Sequence, residues 1–401
     1  MADPLTILVA ARDEEGRIGA TVRSLLELGD VIVADDGSVD GTADEAEAAG
    51  ATVLRLARRG KGQALSAAER AAPSGRLLLA DADLRGDLRP LLENGADLVV
   101  AAFARRQGGG FGIAKRTGRA LIRLLSGYDA REPLSGQRAL SPRARAAVFP
   151  LAPGFGCEVR MTIDAVRAGL ALEEPELDLE HRATGRDAAG FAHRARQLVD
   201  ALLACAPQRL NFRGDRVPLV GAAFALFDAP TALIGLADDL WSGEERGFRA
   251  HLAAGRTTGV LKLVGIPAVA LARTRSVSGA LVVGLAANAL NQLDTKPGRA
   301  LKAFALGSAA LGFRPRGALA LAVLIAPYDL REMAMLGDGG SNALGALLGY
   351  ESVGRFRGAA RWTVIGGLAT LTAIGERRSL GEWIERNSLF SRLDAWGRPK
   401  A

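Results

Sequence analysis

Three short apolar runs near the start of the chain each stop at a turn that carries carboxylates. Leu5 to Ala10 runs into Arg12-Asp13-Glu14-Glu15, Val31 to Ala34 into Asp35-Asp36-Gly37-Ser38, and Arg76 to Ala80 into Asp81-Ala82-Asp83. Short runs rich in branched aliphatic residues suit strands buried on both faces. Between them, Arg17 to Leu28, Thr42 to Ala49 and Gln63 to Ala71 carry helical periodicity, and Thr52 to Leu56 and Leu98 to Ala102 read as further strands. This alternation predicts an α/β domain with a mostly parallel, doubly wound sheet. Ligands are expected at the C-terminal ends of its strands.

The second half has another texture. Val217 to Ala237 is apolar apart from Asp228, and Ser276 to Leu293 carries no formal charge. Leu263 to Ala272, Ala303 to Phe313, Gly317 to Tyr328 and Trp362 to Gly375 are shorter apolar runs. A spanning helix needs about 20 such residues. The 401 residues therefore divide into an α/β domain over 1–210 and an all-α, multi-helix membrane domain over 211–401. Pro207 and Gly214 punctuate the join. Residues 1–4 lack the basic-then-apolar layout of a signal peptide, so insertion is assigned to the second half. Arg246, Arg249, Arg256, Lys262, Arg299 and Lys302 fit the bias of cytosolic loops and place the first domain in the cytosol. The two cysteines, Cys157 and Cys205, have no metal-ligand spacing. A net charge of +7 with 5% aromatics and scattered arginines fits phosphorylated substrates and lipid surfaces rather than nucleic acid.

Two carboxylates one residue apart at a strand end can hold a magnesium or manganese ion, since hard cations take oxygen ligands and share them with substrate phosphates. Asp81 and Asp83 follow Leu77-Leu78-Leu79-Ala80 in that layout. A capped surface turn would look the same. The surroundings resemble the family-2 glycosyltransferases: Ala10 to Glu15 with Ile18, Val31 to Thr42 (including Asp35-Asp36-Gly37-Ser38), Arg59-Gly60-Lys61-Gly62, Ser135-Gly136-Gln137-Arg138 and Gly154-Phe155-Gly156-Cys157-Glu158. The resemblance implies a GT-A-like fold and a nucleotide-diphosphate sugar as donor. It sets Arg12, Glu14, Asp35, Asp36, Lys61, Asp81 and Arg138 around the donor, with the metal on Asp81 and Asp83. In inverting members a late carboxylate deprotonates the acceptor. Glu158 is the candidate here, with Asp164 behind it. Members resembling glucosyl-3-phosphoglycerate synthases place a third metal ligand where His181 stands, and retain configuration without a base. Both outcomes stay open.

In the second half, Asn211-Phe212-Arg213-Gly214, Gly235-Leu236-Ala237-Asp238-Asp239, Asn288 to Asp294 and Leu336-Gly337-Asp338-Gly339-Gly340 resemble the polyprenyl-phosphate N-acetylhexosamine-1-phosphate transferases. That resemblance implies Asp338 as a metal ligand and Asp238, Asp239 and Asp294 in phosphotransfer, with Lys262, Arg299 and Lys302 as cations. The family's late histidine-rich motif is replaced by Glu376-Arg377-Arg378-Ser379 and Trp383 to Asn387. The expectation is a metal-dependent, membrane-bound glycosyltransferase of envelope glycan or glycolipid synthesis, with a lipid or phosphorylated acceptor. The second half either transfers a phosphosugar to polyprenyl phosphate or anchors the first half and presents lipid. A non-enzymatic nucleotide-sugar-binding module is the remaining alternative.

Overall fold

The computed structural model describes residues 4–104, 112–179, 188–211, 213–241, 258–377 and 380–398. The chain divides into two compact units, Met1–Pro218 and Leu219–Ala401.

The first unit runs β1 (Leu5–Ala11), α1 (Ile18–Leu26), β2 (Asp30–Asp35), α2 (Thr42–Ala48), β3 (Thr52–Arg55), α3 (Lys61–Ala71), β4 (Arg76–Asp81), α4 (Arg89–Leu92), β5 (Leu98–Val100), β6 (Ala102–Phe103), α5 (Ile113–Ser126), β7 (Arg138–Leu140), α6 (Pro142–Val148), α7 (Cys157–Arg167), β8 (Leu172–Glu173), β9 (Glu176–Leu177) and α8 (Ala188–Cys205), and ends in the hairpin β10 (Gln208–Leu210) and β11 (Arg216–Pro218). The main sheet has the order β3-β2-β1-β4-β7-β5-β8. It is parallel except at β7, which pairs antiparallel with both β4 and β5. Sequence reading took residues 135–140 as a turn only. The three-residue strand is too short for an alternating pattern, and its place is set by its neighbours.

Strand side chains alternate between faces, and each face has its own core. Ile7, Val9, Val31, Val33 and Leu78 meet Ile18, Val22 and Leu25 of α1 and Ala46 of α2. Leu8, Ile32, Leu77 and Leu79 meet Ala64, Leu65 and Ala68 of α3 with Val148 and Met161. The apolar residues of α1 recur at i, i+4 and i+7, so one stripe is buried. Ser141 caps α6 by accepting the Ala144 N–H at 3.1 Å. Arg145 of the same helix donates to Glu69 O, Ala72 O and Pro73 O at the end of α3. A cation there satisfies carbonyls that the helix leaves unpaired.

The second unit is helical. The helix Gly337–Arg355 buries its glycine-rich face. A Cβ on Gly345 would stand 2.5 Å from Ala286 O and one on Gly349 2.6 Å from Val283 Cα, both in the helix Val277–Leu293. Small residues four apart let two backbones touch. Phe224, Phe304, Leu336 and Leu344 fill the core, while Leu226, Leu233 and Leu240 of α9 (Ala225–Trp241), Val323, Leu324 and Trp362 are exposed.

The helical character expected of the second half is present, with one segment of spanning length among the described residues. That segment, Val220–Trp241, is long and apolar enough to cross a bilayer, while Val277–Leu293 falls short. Even Val220–Trp241 is not one regular helix. A 3-10 turn covers Val220–Phe224, and Asp228 leaves helical geometry at φ −149 and ψ 78. Pro230 follows two residues later, and Asp228 is buried against Arg273 at 3.1 Å.

One close approach positions the site and is testable. A Cβ on Gly62, in the first turn of α3, would sit 1.8 Å from Ala152 O. Gly62→Ala gains about 1 kcal/mol of helix propensity, yet it should lower the melting temperature by several degrees, because backbone must move. A melting temperature equal to or above that of the parent protein would contradict this contact.

Candidate functional site

Parallel register brings the acidic turns together. Ala10 of β1 pairs with Asp81, and Ala11 with Asp35. The backbone positions of Asp81 and Asp35 therefore flank the end of β1, about 10 Å apart at two strand spacings, with their side chains on opposite faces because Ala10 and Ala11 alternate. Thr21 of α1 donates to Ala82 O at 2.8 Å and pins the Asp81-Ala82-Asp83 turn.

Asp81 accepts from Lys61 Nζ at 2.6 Å and from Gln137 Nε2 at 2.9 Å. Lys61 also meets Glu158 Oε1 at 2.7 Å, so one ammonium bridges two carboxylates. Burial alone would lower the Lys61 pKa, but Asp81 and Glu158 outweigh it and hold it well above the ordinary value. Gly136 packs directly on Asp81: a Cβ there would come within 2.5 Å and 2.6 Å of the two Asp81 oxygens and 2.7 Å of Lys61 Nζ, so only glycine fits this turn against the Lys61–Asp81 pair. Asp81 keeps partial exposure, and carboxylate oxygens suit a hard cation. Asp83 is half-buried two residues on. His181 lies outside the described residues. The chain just before it, at Leu179, packs against Gly86, where a Cβ would be 2.7 Å from Leu179 Cδ2. Among the described residues no three histidine, cysteine or acidic side chains stand close enough to share an ion.

The other expected donor residues are placed as follows. Asp36 is buried and accepts the Arg59 N–H at 2.6 Å and the Gly60 N–H at 2.9 Å, which fixes the loop entering α3. Burial raises its pKa against those bonds and the nearby Arg12 and Arg58 charges. Asp35, also buried, accepts the Ser38 N–H at 3.0 Å. Arg12 contacts Asp13 at 3.4 Å, and Glu14 pairs with Arg17 at 2.9 Å while its N–H reaches Thr42 Oγ1 at 2.7 Å. These contacts knit the β1 and β2 turns into one ledge.

Two expectations are corrected. Arg138 is completely buried, and its guanidinium donates to Ser135 O at 2.8 Å, Thr162 Oγ1 at 2.9 Å and Pro133 O at 3.4 Å. It braces the turn that carries Gly136 and does not reach the open site. Asp164 is held by Arg160 at 2.8 Å and by Arg216, away from Lys61's partners. Sequence reading also passed over Asp200 of α8. Its carboxylate accepts the Phe155 N–H at 3.0 Å, and a Cβ on Gly154 or Gly156 would clash with it at 2.3 Å or with its carbonyl at 2.2 Å. Asp200 thus holds the 3-10 turn that launches Cys157 and Glu158. The two glycines around Phe155 were the available signal.

The second unit repeats the motif of an ammonium between carboxylates. Lys262, in the helix Thr258–Thr274, meets Asp238 at 2.7 Å and also Asp338. Asp239 accepts the Gly339 N–H at 3.0 Å, and Asp294, at the end of the helix Val277–Leu293, takes the Gly337 N–H. The four aspartates therefore gather around one glycine-rich helix start. Asp329, missed in the sequence, lies beside Asp294 and accepts the Gly298 N–H at 2.8 Å. The roles expected for Arg299 and Lys302 are corrected. Arg299 is spent on Asp394 and Glu385, and Lys302 donates to Asp394 O at 2.6 Å.

With this geometry in hand, residues 6–143 match the family described as Glycosyl transferase family 2. Glycosyltransferase AglJ of Haloferax volcanii is 30% identical over 182 residues, 42% of this chain and 60% of that protein. The chain therefore spans less than two thirds of that relative's length. Glucosyl-3-phosphoglycerate synthase of Mycolicibacterium paratuberculosis is 30% identical over 237 residues, 50% of this chain and 71% of the synthase. The solved Mycobacterium tuberculosis enzyme of that name, with Mn2+, uridine diphosphate and phosphoglyceric acid, shows 27% identity over 51% of this chain and 78% of its own, at a TM-score of 0.43. The same enzyme has also been solved with Mg2+ and uridine diphosphate, at 25% identity and a TM-score of 0.43 over 54% of this chain and 87% of its own. On its sequence kinship and the motifs gathered at its strand ends, the chain belongs to glycosyl transferase family 2.

Proposed function

We propose that the first unit transfers a sugar from a nucleoside-diphosphate donor to a phosphorylated acceptor. The observation that carries this reading is the partly exposed carboxylate of Asp81 at the end of β4, paired with the partly buried Lys61 at 2.6 Å and followed two residues on by half-buried Asp83. Asp81 and Asp83 would hold magnesium or manganese, with His181 as third ligand. The ion, when bound, acts as a Lewis acid on the departing diphosphate. Lys61 supplies the fixed cation of the site and is held ready for phosphate oxygens by Glu158. The acceptor class follows the name of the synthase relative, whose kinship covers half of this chain.

Glu158 is better read as the holder of Lys61 than as a base. It is buried and ion-paired, and an acceptor hydroxyl needs an accessible oxygen within hydrogen-bond reach. This supports the retaining reading.

The second unit is read as membrane-bound, because Val220–Trp241 is long and apolar enough to cross a bilayer and Leu226, Leu233, Leu240, Val323, Leu324 and Trp362 stand exposed. Its Asp238 and Asp338 on Lys262, with Asp239 and Asp294 at the same glycine-rich helix start, favour phosphosugar transfer to a polyprenyl phosphate over a purely anchoring role. That unit's site would face the compartment that holds nucleotide sugars, as would the first.

Three measurements on the full chain test these assignments. Asp81→Asn with Asp83→Asn should cut sugar transfer by about 100-fold or more and abolish the manganese dependence of nucleoside-diphosphate binding. Retention of both would remove the metal from this site. Glu158→Gln should lower the rate by about 10- to 100-fold while leaving the acid limb of the pH–rate profile in place. Loss of that limb would restore the base. Asp338→Asn should abolish lipid-linked phosphosugar formation with nucleotide-sugar hydrolysis intact. If all product formation survives, the second unit is an anchor.

A further inference from the structure

The stretch 380–398 reverses the usual amphipathic arrangement of a surface helix. Its two short helices are Leu380–Arg386 and Ser388–Ala395, and of their carboxylates Asp394 is buried while Glu385 is held by protein cations at the surface. Asp394 receives both nitrogens of a fork from Arg299 at 2.8 Å each, and Arg398 at 2.6 Å. Glu385 is held by Lys296 at 2.5 Å and by Arg299 at 2.9 Å. The outward positions are Trp383, Leu389, Phe390, Leu393 and Trp396, each between 40% and 75% exposed. Leu389, Leu393 and Trp396 lie at i, i+4 and i+7, a single stripe. Trp383 and Phe390 join it, with ring centroids 5.2 Å apart.

We propose that this helix pair lies on an anionic lipid surface, with the stripe set among headgroups and upper acyl chains. The proposal rests on the membrane reading of the second unit and goes beyond it in naming a monotopic contact. Neither helix, at 7 and 8 residues, can span a bilayer. With Asp394 buried against protein cations and Glu385 paired with Lys296 and Arg299, the exposed charges beside the stripe include Arg386, Arg392 and Glu382, the last 4.0 Å from Arg386. Arginine thus outnumbers carboxylate there, and an apolar face with two tryptophans and arginines at its rim matches the lipid interface.

The chain has four tryptophans, which allows a depth measurement. One full-length variant, Trp241→Phe with Trp362→Phe and Trp383→Phe, keeps only Trp396. A second, Trp362→Phe with Trp383→Phe and Trp396→Phe, keeps only Trp241 of α9. Both are reconstituted into phosphatidylcholine–phosphatidylglycerol vesicles carrying bromine at shallow or deep acyl positions. Trp396 should be quenched at least twofold more by shallow than by deep bromines, and Arg386→Glu with Arg392→Glu should roughly halve that quenching. If Trp241 is quenched and Trp396 is not, the interfacial contact is wrong while the membrane reading stands. If neither is quenched, the membrane reading itself fails. Stronger quenching of Trp396 by deep bromines would also overturn the interfacial placement.

Discussion

An aspartate at the end of a buried strand has lost much of its water and must be compensated by fixed charge or hydrogen bonds. The first unit is organised around that requirement. Parallel pairing of β1 with β2 and β4 sets Asp35 and Asp81 on either side of one strand end. Asp35 is compensated locally by its own turn, through the Ser38 N–H. Asp81 is compensated by Lys61, which comes from another loop and keeps a second carboxylate, Glu158, on its far side. Everything nearby serves that bridge. Asp36 fixes the loop that delivers Lys61, Asp200 holds the turn that delivers Glu158, and buried Arg138 braces the turn that sets Gly136 against Asp81.

The second unit reaches a similar electrostatic solution on a different scaffold. There the backbone approach comes from glycines: Gly235 lies so close to the start of Gly337–Arg355 that a Cβ would be 2.3 Å from Asp338 O. Asp238 and Asp338 share Lys262 as a result. The two sites differ in how they treat water. The first sits at the C-terminal ends of the central strands with Asp81 partly exposed, and the second at helix ends with Asp238 and Asp239 buried.

The sequence made the strands β1 to β4 and helices α1 to α3 legible, because each repeats a period of two or 3.6 over several residues. It also made legible the placement of Asp35 and Asp81 at one end of the sheet, since parallel strands finish on the same side. It did not reveal β7, whose three residues hold no pattern and whose direction depends on partners on both sides. Nor did it separate Arg138 from the open site: an arginine in a motif looks the same whether it reaches a ligand or three backbone and hydroxyl oxygens. Asp200 and Asp329 were invisible for a related reason. Each acts on a glycine N–H or a glycine-flanked turn far along the chain, and no local spacing records that contact. The apolar run from residue 217 onward was legible as composition, but the break at Asp228 came from a buried ion pair with Arg273, forty-five residues away.

The lysine bridge at the strand ends bears on the order of assembly. A cluster of bare carboxylates would repel itself and leave a fold that awaits its ion, as small zinc domains do. Here Lys61 neutralises its own neighbours, so the carboxylates at this strand end are balanced by the chain itself. The domain can complete its core with that charge already matched, and folding makes no demand on anything from outside the chain.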